Sequence, residues 1–234
     1  MTDPHRFRAF ARATGLAAAA TLALLAAACQ SPIETHGGNI EKVFDQLRML
    51  DAAVTSAPPL AEDRIDTGGA RVVLEGDGAN ALFIVDAHLA DPMKAGPYGT
   101  GAELAVPIQT CARALVGQTP FHTEEEIARH LQQCASAEYA FVLRSDHETY
   151  GELLSGNEYT PGAYAGEVRL YRLADGAALG GFRVSAANDD ELTVAVGQYG
   201  EEAAVGNALV AQVRERVQAA IVAGLREHVP GSGP

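Results

Sequence analysis

An uncharged run that ends in a cysteine sets the terms for the rest of this chain. Residues 13–28 (ATGLAAAATLALLAAA) carry no charge and are almost wholly Ala and Leu. The preceding residues 1–12 hold Arg6, Arg8 and Arg12 against the single acid Asp3. A positive segment, an apolar segment and small residues, in that order, make up an export signal. A membrane-spanning helix needs about 20 strongly apolar residues, and this run is shorter and dominated by alanine. Setting residues 1–28 aside as a signal peptide leaves 206, enough for one domain with a substantial core.

Leu25-Ala26-Ala27-Ala28-Cys29 resembles the lipobox of bacterial lipoproteins, and the resemblance covers residues 1–29. It implies a diacylglyceryl thioether on Cys29, cleavage before that residue and acylation of the new amino group. Ala26 departs from the family pattern, which usually has Leu there. Gln30, rather than Asp, follows the cysteine, which by family analogy favours the outer membrane, facing the periplasm. Several acyl chains hold a protein firmly because each buried methylene contributes about 0.8 kcal/mol. The rival is an ordinary secretory signal cut after Ala26-Ala27-Ala28, which leaves Cys29 as a free terminal thiol in an oxidising compartment.

Of 17 basic and 30 acidic residues, the first 28 positions contain three and one, so the remainder carries 14 against 29 and a formal charge of −15. That balance repels phosphate backbones, and nucleic acid is not an expected partner. Beyond Cys29 there are only Cys111 and Cys134. An even pair in an exported domain reads most simply as a disulfide, with two buried free thiols as the alternative.

Residues 29–39, polar and containing Pro32, Gly37 and Gly38, read as a flexible tether, and 40–229 as the domain. Ile40, Val43, Phe44, Leu47, Leu50 and Val54 recur at helical spacing and predict a helix over 40–56, stopped by Pro58-Pro59. Strands are expected at Arg71–Glu75 and Ala81–Ala87, a loop at 91–102, and a short helix from Pro107 to about Leu115. Thr123 and Glu126 form a capping box for a helix reaching about Ala135, and Tyr139–Leu143 follows as a core strand. Residues 145–164 read as a long loop or irregular hairpin. Strands Gly166–Leu173 and Leu179–Ala187 flank an Asp175-Gly176 turn, 191–196 is a candidate further strand, and 201–227 form a long helix. The tail 230–234 (PGSGP) is expected to be disordered.

This order predicts a single α+β domain, a mixed, largely antiparallel sheet covered by two long helices. The strand, Asp-Gly hairpin and long helix of the latter half are loosely similar, in element order, to small α/β envelope lipoprotein domains of the curli-secretion and Tol-associated kind. That similarity implies a docking role in an envelope assembly and carries no residue across.

No G-x-S-x-G elbow, P-loop, H-E-x-x-H or C-x-x-C occurs. Glu126, His130 and Cys134 share a helix face behind His122, all zinc-ligand types. The eight residues from Glu126 to Cys134 nevertheless span about 12 Å, too far for one ion, and no metal or other cofactor is expected. Asp86, His88 and Asp91 sit at a strand end, where a general base could stand, yet such groups more often satisfy the local backbone. Asp146, His147 and Glu148 read as a solvated loop. Tyr150, Tyr159 and Tyr164 form a candidate partner-binding loop, since tyrosine joins an apolar body to a polar tip. Taken together, the sequence reads as a lipid-anchored, non-enzymatic periplasmic domain. It would be attached to the membrane through its lipid and bind another envelope protein or the cell wall. A metal-dependent or acid/base hydrolase using Asp86, His88 and Asp91 or the His130 helix is the alternative.

Overall fold

Where the pattern predicts a tether, the chain is already helical. The structure is a computed structural model describing residues 31–76, 78–94, 106–116, 123–154, 158–192, 194 and 200–229. Cys29, the signal segment, His122, the tail, residues 95–102 and residues 193, 195 and 196 lie outside the described residues. The first helix, α1, spans Pro32–Thr55. Ser31 Oγ accepts from the Glu34 amide at 3.2 Å, and the Glu34 carboxylate accepts from the Ser31 amide at 2.8 Å. Ser31-Pro32-Ile33-Glu34 is thus a complete capping box with proline in the first turn. Gly37 and Gly38 lower helix propensity, which made these turns look like linker, but the cap and the packing below them prevail.

The remaining elements are β1 (Arg64–Ile65), β2 (Ala81–Val85), β3 (Val106–Pro107), α2 (Ile108–Leu115), α3 (Glu124–Ala135), β4 (Tyr139–Thr149), β5 (Glu152–Leu153), β6 (Tyr159–Thr160), β7 (Ala163–Arg172), β8 (Ala178–Ala187) and α4 (Glu201–His228). Six strands form one sheet in the order β1-β8-β7-β4-β2-β3, and β5 pairs with β6 separately. β1, β8, β7 and β4 run antiparallel, while β4, β2 and β3 are parallel. The domain is α+β with a mixed sheet. No helix among the described residues is long and apolar enough to cross a membrane.

Each sheet face has its own core. Leu82, Ile84, Ala140, Val142 and Tyr171 meet α1, α2 and α3 on one side. Phe83, Phe141, Leu143, Val168, Leu170, Phe182 and Val184 meet α4 on the other. Burial on both faces explains the unbroken apolar runs of β2 and β4, as parallel pairing requires. The helical cover is loose: α1 packs mainly on α3, and α4 mainly on β8.

One expected element changes and another is resolved. Arg71–Glu75 pairs with no strand; instead the Asn80 side chain accepts from the Val73 amide at 2.7 Å and donates to the Arg71 carbonyl at 3.1 Å. Of the two readings of 145–164, a long loop or an irregular hairpin, the structure has the hairpin: β4 stays paired with β7 as far as Thr149, and β5 pairs with β6 beyond it. The side chains of this outer half of β4 are polar because both faces there are exposed, so no alternation marked it as strand.

Where α1 ends, its side of the sheet continues as charge. Glu167 is 1% exposed, and its Oε1 takes Arg169 Nε at 2.5 Å and Arg144 Nη2 at 2.9 Å. The same three side chains grip the strap after α1: Arg144 donates to the Ala57 carbonyl at 2.7 Å, Arg169 to the Pro58 carbonyl, and the Leu60 amide to Glu167 Oε2 at 3.1 Å. Pro58 and Pro59 have no N–H, so the strap presents mostly acceptors, and two guanidinium groups supply the donors.

Two glycines of α4 give an internally controlled prediction. A Cβ at Gly206 meets nothing within 4 Å, whereas one at Gly224 would run into the Phe182 ring. Gly206→Ala is expected to stabilise by about 0.5–1 kcal/mol through helix propensity. Gly224→Ala is expected to destabilise by about 1–3 kcal/mol through overpacking. Urea unfolding of the two variants checks the opposite signs; equal shifts would mean that α4 does not approach β8 this closely.

Candidate functional site: a cleft at the ends of β2 and β4

Because β2 and β4 are parallel, their carboxyl ends emerge together. Past β2 the chain makes a short 3-10 turn, Asp86–His88. Between that turn, the outer half of β4, the start of β7 and the middle of α4 lies a cleft of about 360 Å³. Its floor is Val85, Leu143, Val213 and Val217; its polar groups are Asp86, His88, Ser145, Glu148, Tyr150, Tyr164 and Arg214.

A β-bulge decides which β4 side chains reach it. Ser145 pairs with Gly166, His147 with Ala165 and Glu148 with Tyr164, so Asp146 is the extra residue. The insertion reverses the alternation and turns Ser145 and Glu148 to the same face. Tyr164 reaches back along that face, and its hydroxyl shares a hydrogen bond with Ser145 Oγ at 2.9 Å. Gly166 makes the room, since a Cβ there would stand 2.9 Å from the Tyr164 oxygen.

The electrostatics separate the polar groups. Burial pushes the Tyr164 hydroxyl up to about 12, so it stays neutral at any physiological pH. Desolvation also raises Asp86 above the usual aspartate range, against the opposing Ala87 amide, which donates to its Oδ1 at 2.7 Å. Tyr150 is 47% exposed and donates to Glu148 Oε1 at 2.6 Å, a bond that raises its own pKa. The cleft therefore offers an apolar base, a half-buried carboxylate and a tyrosine at the mouth.

Among the sequence candidates, Asp86 and His88 come together with Tyr150 and Tyr164. Tyr164 is buried and serves as wall rather than exposed anchor. Tyr159 is elsewhere: its hydroxyl donates to the Asp189 carbonyl at 2.5 Å and pins the β5–β6 hairpin. Asp91 pairs with Lys94 at 2.9 Å, which lowers its pKa, and does not line the cleft. On α3, the Glu126 carboxylate is turned back to the Thr123 amide at 2.8 Å, and Cys134 is bonded to Cys111 with Cα atoms 5.7 Å apart. No group of three or more potential metal ligands occurs among the described residues. Sequence reasoning missed Ser145, Glu148 and Arg214. Only the Val213–Val217 spacing hinted at α4's part, and it is indistinguishable from ordinary core stripe.

No family model matches the sequence, and neither does any curated protein. Among solved structures, the hypothetical protein CT253 from Chlamydia trachomatis is similar over 69% of this chain and 99% of its own, at 13% identity and a TM-score of 0.32. A lipoprotein candidate from Caulobacter crescentus CB15 is similar over 63% of this chain and 83% of its own, at 12% identity and a TM-score of 0.29. Likeness at these TM-scores carries no statement about this chain.

Proposed function

We propose that this chain is a lipid-anchored envelope protein, attached through Cys29 to the outer membrane on its periplasmic side, and that its domain recognises another envelope component at the cleft. The anchoring half draws on the charged, apolar and small-residue order ending at Cys29, and is compatible with the Cys111–Cys134 disulfide, a bond of oxidising compartments. The recognition half draws on one observation: an apolar floor beside a carboxylate that folding has partly desolvated at a cost. Among the described residues Asp86 forms no ion pair, and a desolvated carboxylate lining a cleft has the environment of a group that serves binding.

Asp86→Asn is the test. Asparagine can still accept from the Ala87 amide, so the variant is expected to unfold at the same temperature as the parent or higher. Its capture of a partner from solubilised envelopes or cell-wall sacculi is expected to fall about tenfold or more, as for a lost charge-assisted hydrogen bond. Undiminished capture would remove the cleft from the proposal. Intact mass measurement of membrane-extracted protein checks the anchor.

The hydrolase alternative rests on Asp86 and His88 sharing the cleft. It predicts soluble fragments released from sacculi by the parent and not by Asp86→Asn, where recognition alone predicts retention without release.

A further inference from the structure

By sequence count, few residues separate Cys29 from the first residue of the folded domain. Ser31 is already held by both halves of its capping box with Glu34, and helical backbone begins at Pro32. Gln30 is the one residue between cysteine and cap. Three residue steps reach at most about 11 Å, so the first turn of α1 cannot leave the surface to which Cys29 is joined. This step rests on the lipid-anchor reading above.

The end of the molecule so placed carries exposed apolar side chains. Ile33, in the first turn of α1, is 37% exposed, and Val116, which closes α2, is 52% exposed. Gly37 shares the helix face of Ile33 one turn on, and its Cβ position lies 3.9 Å from Leu115 Cδ2. The end of α2 and the start of α1 are therefore neighbours, with Ile33 and Val116 both at this end.

We propose that this end, with Ile33 and Val116, is a membrane-contact surface, seated on the headgroup region of the bilayer by its one-residue spacer rather than hung from a leash. The occupant is a lipid surface because the chain outside the described residues leads there from Ser31 within a fixed reach. The formal charge of −15 beyond residue 28 opposes spontaneous adhesion to anionic lipid, so contact depends on the covalent link.

The chain has no tryptophan, so a single introduced one reports without background. Ile33→Trp, Val116→Trp and, as control, Met49→Trp are prepared as full-length protein processed in cells, extracted and reconstituted in phosphatidylcholine vesicles bearing headgroup nitroxides. Met49 is 69% exposed and about 24 Å further along α1 on nearly the opposite side. The expected result is loss of most emission at positions 33 and 116 and little at 49. A long Gly-Ser insertion between Gln30 and Ser31 is expected to restore emission at both. Acylated protein without quenching at 33 and 116 would overturn the seat alone, and so would quenching that survives the insertion. A mass lacking acyl chains would overturn the anchor reading and the seat together.

Discussion

Glu167→Ala is expected to lower the free energy of unfolding by about 3–5 kcal/mol, the usual effect of leaving buried charges without their partner. The carboxylate joins Arg144 and Arg169 and also accepts from the Leu60 amide, so its loss strands Arg169 and one backbone donor and leaves Arg144 with Asp146 alone. A domain holds about 5–15 kcal/mol in all, so the variant should be close to the limit of folding. Urea denaturation measures it, and a loss under about 1 kcal/mol would show that the cluster is hydrated. A companion separates the worth of the pair from the penalty of breaking it. Glu167→Leu with Arg169→Met removes both principal charges, leaves Arg144 with Asp146 at 3.3 Å, and is expected to be much less damaging than Glu167→Ala.

Removing the Cys111–Cys134 bridge is expected to cost about 3 kcal/mol, given the sequence separation of 23. The bridge ties α2, only eight residues long, to α3. A helix that short is marginal alone, so α2 depends on tertiary anchorage. Both cysteines are fully buried, so alanine at each position creates little polar mismatch and the change isolates the covalent link. The double alanine variant, followed by urea unfolding and amide exchange, should show a lower midpoint and early loss of protection in α2. An unchanged midpoint would mean that packing alone holds the pair of helices.

The sequence made some parts of this architecture legible and hid others for physical reasons. The long stripes of α1 and α4, the Thr123 cap and the Asp175-Gly176 hairpin are local signals, and each occurs close to where the pattern put it. Gly176, at φ +69°, is the positive-φ residue that such a turn needs. The start of α1 was hidden by competing local signals, with Gly37-Gly38 outvoting Ser31-Pro32-Ile33-Glu34. The outer half of β4 was only half legible because pairing with β7, not burial, makes it a strand. The cleft was hidden most deeply. Asp86 and His88 were visible as polar residues after a strand, but Glu148 joins Ser145 on their side only through the bulge at Asp146. Arg214 joins from a helix more than sixty residues further along the chain.

The strap at 57–60 directly follows α1 and is gripped by side chains of β4 and β7, the two middle strands of the sheet. Tension applied at Ser31 therefore enters α1 and is shared between its packing on α3 and the strap that leads into the two middle strands of the sheet. The cleft is built on that same pair of strands, so the anchored end and the candidate site meet in them.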